Sequence, residues 1–275
     1  MKTLISVITV CLNAEKDIEF TINSVLEQDF TGYEFLIQDG GSDDHTIGIA
    51  ERYRKLFKDK NIPFRIISEK DEGIYDAMNK AAGYADGEWV IYINAGDALF
   101  DKNVLRNLSL ELSDRYDVLY GDAVMMDNGM YRMLRAGEAE RLRDTNPICH
   151  QASITRTGIV RKYSFDCRYK IAADFDLFVK LYLKDADRVK KLDLVFGIFR
   201  LGGISNSNIR QREKEFYASR KQNGMKRMLF PRLLIVEVVA FNMFRDFCRK
   251  VMGQKYYSKS RGWFSDRYEA VKADV

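Results

Sequence analysis

Four short apolar runs separated by segments of helical period fill the first hundred residues, and this alternation constrains the fold more than any other feature of the chain. The first run, LISVITVC from Leu4, is almost continuously apolar at Ile5, Val7, Ile8 and Val10, as expected of a parallel strand covered on both faces. Asn13 stops it and can cap a helix. Behind it Ile18, Ile22 and Val25 recur at i, i+4 and i+7 and so share one buried face. Phe35, Leu36 and Ile37 form a second strand. Thr46 to Phe57 reads as a helix with Ile49, Tyr53 and Leu56 on one face, and Phe64 to Ser68 as a third strand. A helix from about Tyr75 to Tyr84 and a buried strand from Glu88 to Asn94 follow. Such units, joined by right-handed crossovers, give a doubly wound, mostly parallel sheet flanked by helices. Asn13 and Asp39 then meet at its carboxyl edge, where open α/β sheets bind ligands.

From Asp101 to about Tyr169 the pattern loosens, and an Asp-Asn-Gly turn at 127–129 joins two strand-like segments as a hairpin. AADFDLFVKLYLK, Ala172 to Lys184, sets Phe175, Phe178, Val179 and Tyr182 at helical spacing. Val195 to Leu201 reads as a strand closed by Gly202 and Gly203. The chain thus divides into a domain over 1–205, with a nucleotide-binding half (1–101) and an acceptor-binding half (102–205), and a basic, apolar helical extension over 206–275. In the extension a charged helix, REKEFYASRKQNGMKR, precedes an apolar run broken by Arg232, Glu237 and Arg245, too short and too charged to span a bilayer. Two readings stand side by side. The apolar residues lie in a membrane interface with Arg249, Lys250 and Lys255 near head groups, or the helix packs on the main domain or a partner subunit.

Apolar residues at 46% and charged residues at 31% fit an ordinary folded protein. A net charge of +4 against 44 basic and 40 acidic residues gives no reason to expect a nucleic-acid partner. Cys11, Cys149, Cys167 and Cys248 are too scattered for a zinc site or a disulfide scaffold, which suits a reducing cytoplasm. No secretion signal follows Met1-Lys2-Thr3.

The polar residues at the expected ligand edge suggest the chemistry. A nucleotide needs hydrogen bonds for its base, polar groups for its ribose and positive charge for its diphosphate. Asp39 can accept from a base N–H while Gly40 and Gly41 permit close backbone approach; Asp44 can cap the Thr46 helix. Asp71, Asp76 and Asn79 are candidates for base or ribose, and Lys80 for phosphate. An Asp near a helix start can equally serve the helix dipole, and a lone Lys can be solvated. Asp97 follows a buried strand and is the metal candidate, because hard divalent cations that bridge diphosphates prefer carboxylate oxygen; Asn94 can add a carbonyl oxygen. Asp174, at the head of an amphipathic helix behind two alanines, can remove a proton from a hydroxyl, with Asp176 as its rival on another face. His150 is either a phosphate or acceptor ligand or a structural histidine, and Asp122 is an acceptor-side candidate.

Taken together, ITVCLNAE, IQDGGSDDHT and DEGIYDAMNKAAGYADGEWVIYINAGD, followed by CHQASITRT, AADFDLFVKL and FRLGGIS, resemble the inverting family 2 glycosyltransferases of the GT-A fold, over roughly Thr3 to Ser205. The bacterial members that assemble O-antigen, capsule or exopolysaccharide are the nearest in motif order. The resemblance implies Thr9, Asn13, Asp39 and Asp71 at the nucleoside, and Asp97 at a Mn2+ or Mg2+ ion on the diphosphate. It also implies His150 and Gln151 on the acceptor side and Asp174 as the catalytic carboxylate. The donor would be a nucleotide-sugar, most often UDP-linked in this family. The acceptor would be a saccharide on a polyprenyl diphosphate at the inner face of the bacterial membrane; an oligomer stays open. One departure is that the usual D-x-D becomes Asn94-Ala95-Gly96, leaving Asp97 as the sole acid of the turn. Two rivals remain. A nucleotidyltransferase would bring a glycine-rich basic loop after the first strand, which CLNAEKD lacks, and a non-catalytic nucleotide-binding partner would not need both Asp97 and Asp174.

Overall fold

Apolar runs that are buried on both faces become the central parallel strands. The structure is a computed structural model, and it describes residues 3–127, 130–200, 208–225 and 268–271. β1 (Ile5–Cys11) leads through α1 (Ile18–Leu26) to β2 (Tyr33–Asp39), and α2 (Thr46–Glu51) and α3 (Arg54–Asp59) lead on to β3 (Phe64–Ser68). α4 (Ile74–Tyr84) carries the chain to β4 (Trp89–Tyr92). These strands lie parallel in the order β3, β2, β1, β4. Alternate residues of β1 serve opposite faces. Ile8 and Val10 pack with Met78, Ala81 and Phe175, while Ile5 and Val7 pack with Ile18, Ile22 and Phe57.

The second half adds β5 (Ala98–Leu99), α5 (Val104–Glu111), the hairpin of β6 (Val118–Asp127) and β7 (Met130–Leu134), and β8 (Ser153–Arg156). α6 (Thr157–Tyr163), α7 (Ala173–Lys184), β9 (Val189–Arg200), α8 (Ile209–Gln222) and β10 (Tyr268–Val271) complete it. β8 pairs antiparallel with β4 and with β6, so the sheet becomes mixed where the second half begins. β9 runs parallel to β6 and antiparallel to β5, which returns the chain beside Asp97. The expected parallel arrangement therefore holds for β1 to β4 and for β6 with β9.

Several local expectations are corrected. Asn13 caps no helix: it has a left-handed φ of 51°, four residues before α1 is reached, and its Oδ1 accepts from the Asp43 N–H at 3.0 Å. The helix expected over Thr46 to Phe57 breaks, because the Arg52 and Tyr53 N–H groups bond back to Ile49 and Ala50 and tighten the turn. Phe57 consequently enters the core and Leu56 is left exposed. Asp44 does accept from the Thr46 N–H, at 2.9 Å. β9 begins six residues earlier than expected, since Lys190, Lys191 and Asp193 interrupt its apolar pattern.

The first helix expected in the extension is α8, and it packs on α7, with Phe216 and Met225 joining the core. Gly202, Gly203 and the apolar run expected in the membrane interface lie outside the described residues. Among those described, no helix is long and apolar enough to cross a membrane.

Candidate active site

The loops after β1, β2 and β3 converge at one end of the sheet. Asp39 is fully buried at the end of β2 and accepts from the Gly41 and Ser42 N–H groups at 3.0 Å, from Ser68 Oγ at 2.6 Å and from Ser42 Oγ. Burial pushes its acidity toward the neutral form, but these hydrogen bonds outweigh it and hold the carboxyl below its ordinary value. Ser42 Oγ in turn accepts from the Asn13 N–H at 2.8 Å, tying the β1 loop to the β2 loop. A Cβ on Gly40 would come within 2.4 Å of Asp71 Oδ2 and 3.5 Å of Leu12 Cδ1. Asn13, Asp39 and Asp71 are therefore brought together, beside an exposed Leu12 that sequence reasoning did not single out.

Other nucleotide candidates are committed elsewhere. Thr9 is fully buried and donates to the Ile93 carbonyl at 2.6 Å, joining β1 to the end of β4. Both ends of the Asn79 amide bond the Phe165 backbone at 2.8 Å. Asp76 accepts from the Glu72 N–H and pairs with Lys80, each at 3.0 Å, and Lys80 also donates to the Lys70 carbonyl at 2.7 Å. These contacts knit the loop before α4 to the helix. Asp122, expected on the acceptor side, is held by Arg135 and the Ala136 N–H, each at 2.7 Å.

The turn after β4 is built around Asp97. Gly96 adopts a φ of +94°, which an L side chain rarely adopts, and Thr21 of α1 accepts from its N–H at 2.9 Å while donating to the Asp97 carbonyl at 2.6 Å. The Asp97 carboxylate accepts from Gln151 Nε2 at 3.2 Å. Burial pushes Asp97 up to about 6, against the lowering influence of His150, Gln151 and Arg200. Gln151 Oε1 accepts from the Cys149 thiol at 3.0 Å, which aims the amide nitrogen at Asp97; burial pushes that thiol up to about 12, so it stays a donor.

His150 reaches the other way. Its Nε2 is 3.3 Å from Asn94 Nδ2 and its Nδ1 is 3.4 Å from Asp174 Oδ2. The ring thus lies between the Asn94 amide on one side and Asp174 on the other. The other oxygen of Asp174 accepts from the Tyr75 hydroxyl at 3.1 Å, and the same hydroxyl lies 2.8 Å from the Ile171 carbonyl. Burial first, then Asp174, pushes Tyr75 well up and keeps it protonated. The adjacent residues His150 and Gln151 thus touch Asp174 and Asp97 respectively, so both carboxylates border one site.

Asp176 turns to other partners: Ser219 Oγ and Asn223 Nδ2 donate to it at 2.8 Å and Lys180 Nζ pairs with it at 2.6 Å. Sequence reasoning missed Tyr75, which reads as one more apolar position of α4, and Cys149. For a metal, no group of three or more His, Cys, Asp or Glu gathers among the described residues. Asn94 Oδ1, however, is a buried acceptor with no hydrogen-bond partner, on the same turn as Asp97. One carboxylate and one orphaned amide oxygen fit a hard divalent cation that takes its remaining ligands from diphosphate and water.

A mixed sheet whose parallel half is β1 to β4, with the buried Asp97 and Asp174 touched by the adjacent Gln151 and His150, is the architecture of a GT-A glycosyltransferase. Residues 6–178 match the profile of Glycosyl transferase family 2, and the chain belongs to that family. A PGL/p-HBAD biosynthesis glycosyltransferase of Mycobacterium tuberculosis is 29% identical over 239 residues, covering 86% of this chain and 90% of that protein. The Escherichia coli WfgD, a UDP-Glc:alpha-D-GlcNAc-diphosphoundecaprenol beta-1,3-glucosyltransferase, is 29% identical over 126 residues, 46% of this chain and 47% of WfgD. In fold the chain is similar to TarS of S. aureus in complex with UDP-GlcNAc, with TM-score 0.62, 23% identity and coverage of 80% of this chain and 65% of that one. It is similar also to the mannosyltransferase PcManGT of Pyrobaculum calidifontis in complex with GDP-Man and Mn2+, with TM-score 0.62, 16% identity and coverage of 95% and 88%.

Proposed function

We propose that this glycosyltransferase moves a sugar from a UDP-linked donor to a hydroxyl of a lipid-linked saccharide in bacterial surface-polysaccharide synthesis, with inversion at the anomeric carbon. The observation that carries this reading is the His150–Gln151 pair, whose adjacent side chains touch Asp174 and Asp97 respectively. WfgD, whose donor is UDP-Glc and whose acceptor is a diphosphoundecaprenol-linked sugar, supports the substrate classes.

The nucleoside lies against Asn13, Asp39 and Asp71, and the diphosphate reaches Asp97. Asp97 and Asn94 Oδ1 would hold a divalent cation, Mn2+ or Mg2+, which would supply positive charge against the leaving diphosphate. Asp174 takes the proton of the acceptor hydroxyl as that oxygen attacks the anomeric carbon opposite the leaving group. The bond from that carbon to the diphosphate oxygen breaks, and its electron pair leaves with UDP. Tyr75 against one oxygen of Asp174 and His150 Nδ1 beside the other keep the carboxylate aimed at the acceptor. A lipid-linked acceptor would bring the enzyme to the cytoplasmic membrane surface.

The test is release of nucleoside diphosphate from a panel of UDP-, GDP- and dTDP-sugars with Mn2+, for the wild type and Asp174→Asn. UDP-sugars should turn over, and the variant should lose at least 100-fold in rate while UDP affinity by calorimetry stays within twofold. Undiminished turnover in Asp174→Asn would remove the base assignment. Absence of any turnover beside normal UDP binding would favour a non-catalytic nucleotide-binding partner.

A further inference from the structure

Helix α7 carries Asp174 in its first turn but has no side-chain cap of its own, because the residue before it is Ala172. Ile171 and Ala172 are both buried, so their N–H groups have no access to water and need a protein acceptor. That acceptor comes from a different helix. Glu215 of α8, only 5% exposed, accepts from the Lys170 N–H at 3.1 Å, the Ile171 N–H at 2.8 Å and the Ala172 N–H at 3.0 Å. Gln211 Nε2 donates to the same carboxylate at 2.8 Å. Four donors thus converge on its two oxygens, and a carboxylate before the first turn also suits the dipole of α7.

The anchored segment is the one that shares a donor with Asp174. The Tyr75 hydroxyl lies 2.8 Å from the Ile171 carbonyl and 3.1 Å from Asp174 Oδ1, so a shift of residues 170–172 moves Tyr75 and the carboxylate against each other. The rest of α8 also holds the first turn of α7, through Ser219 and Asn223 on Asp176 and through Phe216 and Arg220 against Phe175. Among the described residues of α8, Glu215 is the one that bonds the backbone just before Asp174.

We infer that Glu215 is a positioning residue for the transfer reaction: it caps α7 from outside and thereby fixes the Asp174 carboxylate against Tyr75 and His150. The inference rests on the reading of Asp174 as the base. Glu215 touches no substrate, and its effect is on the geometry of the reacting carboxylate.

The test uses the full chain with UDP-glucose and UDP-N-acetylglucosamine, Mn2+ and water as the acceptor, reading UDP release and, by calorimetry, UDP affinity. Glu215→Gln leaves one acceptor oxygen and turns an NH2 toward backbone N–H groups; kcat should fall about tenfold or more. KM and UDP affinity should stay within twofold, a split that general loosening of the fold does not produce. Glu215→Asp keeps the charge but is one methylene short, and its kcat should lie between the two. In an Asp174→Asn background Glu215→Gln should cause no additional loss, since the group it positions is already gone. Wild-type kcat in Glu215→Gln, or a loss of UDP affinity in step with kcat, overturns the inference. If Glu215→Gln does not fold, Glu215→Asp decides: lower kcat at constant KM supports it, and unchanged kcat overturns it. Full turnover by Asp174→Asn would instead remove the base assignment itself, whatever Glu215 does.

Discussion

Replacing Asp97 by asparagine should abolish activity and yet make the ligand-free protein more stable. The carboxylate is 8% exposed, and burial pushes it from the ordinary 3.8 up to about 6. The folded protein therefore holds this proton more tightly than the unfolded chain does. The cost of ionising the group is absent below about 3.8, grows as pH climbs to about 6 and is constant above that. At ~1.4 kcal/mol per pH unit it amounts to about 3 kcal/mol at neutral pH. Asparagine keeps the shape but has one acceptor oxygen for the two donors, Gln151 and the Arg200 N–H, which returns about 1 kcal/mol. The net gain of about 2 kcal/mol corresponds to a Tm higher by roughly 4–8 °C in a domain of this size. Thermal unfolding of both proteins in EDTA across pH 4 to 8 measures it: the gap should be widest above pH 6.5 and close toward pH 4. Added UDP and Mn2+ should reverse the order, because at 100 times its Kd a ligand contributes about 2.7 kcal/mol to the wild type and nothing to a variant that cannot bind it. A variant less stable than wild type at pH 7.5, or a gap indifferent to pH, would refute the reasoning.

Two further substitutions separate packing from chemistry. Asp176→Asn weakens the contacts to Lys180, Ser219 and Asn223 and should lower stability by about 1.5–3 kcal/mol in urea unfolding, leaving kcat within threefold of wild type at temperatures where the protein is folded. Gly40→Ala puts a methyl group 2.4 Å from Asp71 Oδ2 and should weaken UDP binding about tenfold in calorimetry, with unfolding changed little because that carboxylate can move aside. Unaltered UDP affinity would place the base away from the Asp39–Asp71 edge.

How much of this was legible in sequence follows from what buries each element. β1 to β4 are buried by apolar side chains, so period and turn residues reveal them, and β3 was read to its end residues. α8 is docked by Glu215, Ser219 and Arg220, all buried, and its residues look like those of a solvated helix when only hydrophobicity is read. The polar candidates split for a related reason. Thr9, Asn79 and Asp122 have the right residue types near the right edge, but their donors and acceptors are already used by Ile93, Phe165 and Ala136. Sequence spacing places a polar group at an edge; it does not tell whether a nearby backbone has already satisfied it. Asp97 and Asp174 stand at a strand end and a helix start, which spacing reveals; their partners Gln151, Tyr75 and His150 come from distant segments that spacing does not.

The asparagine that interrupts the D-x-D pattern has a physical rationale in the same site. A carboxylate at position 94 would meet the burial that already raises Asp97, and two such groups on one turn would repel and drive one of them to protonate. The amide avoids this and does something a carboxylate does not. Its nitrogen faces His150 Nε2, while its oxygen stays unpartnered on the side of Asp97. In the proposed mechanism Asn94 thus links the donor side to the base: a carboxylate there would set a second anion against the ring that touches Asp174. Asn94→Asp should therefore raise affinity for Mn2+ in calorimetry while lowering kcat, since the second carboxylate competes with Asp174 for the His150 ring. Improved affinity and improved turnover together would show that the amide has no part in holding His150 against Asp174.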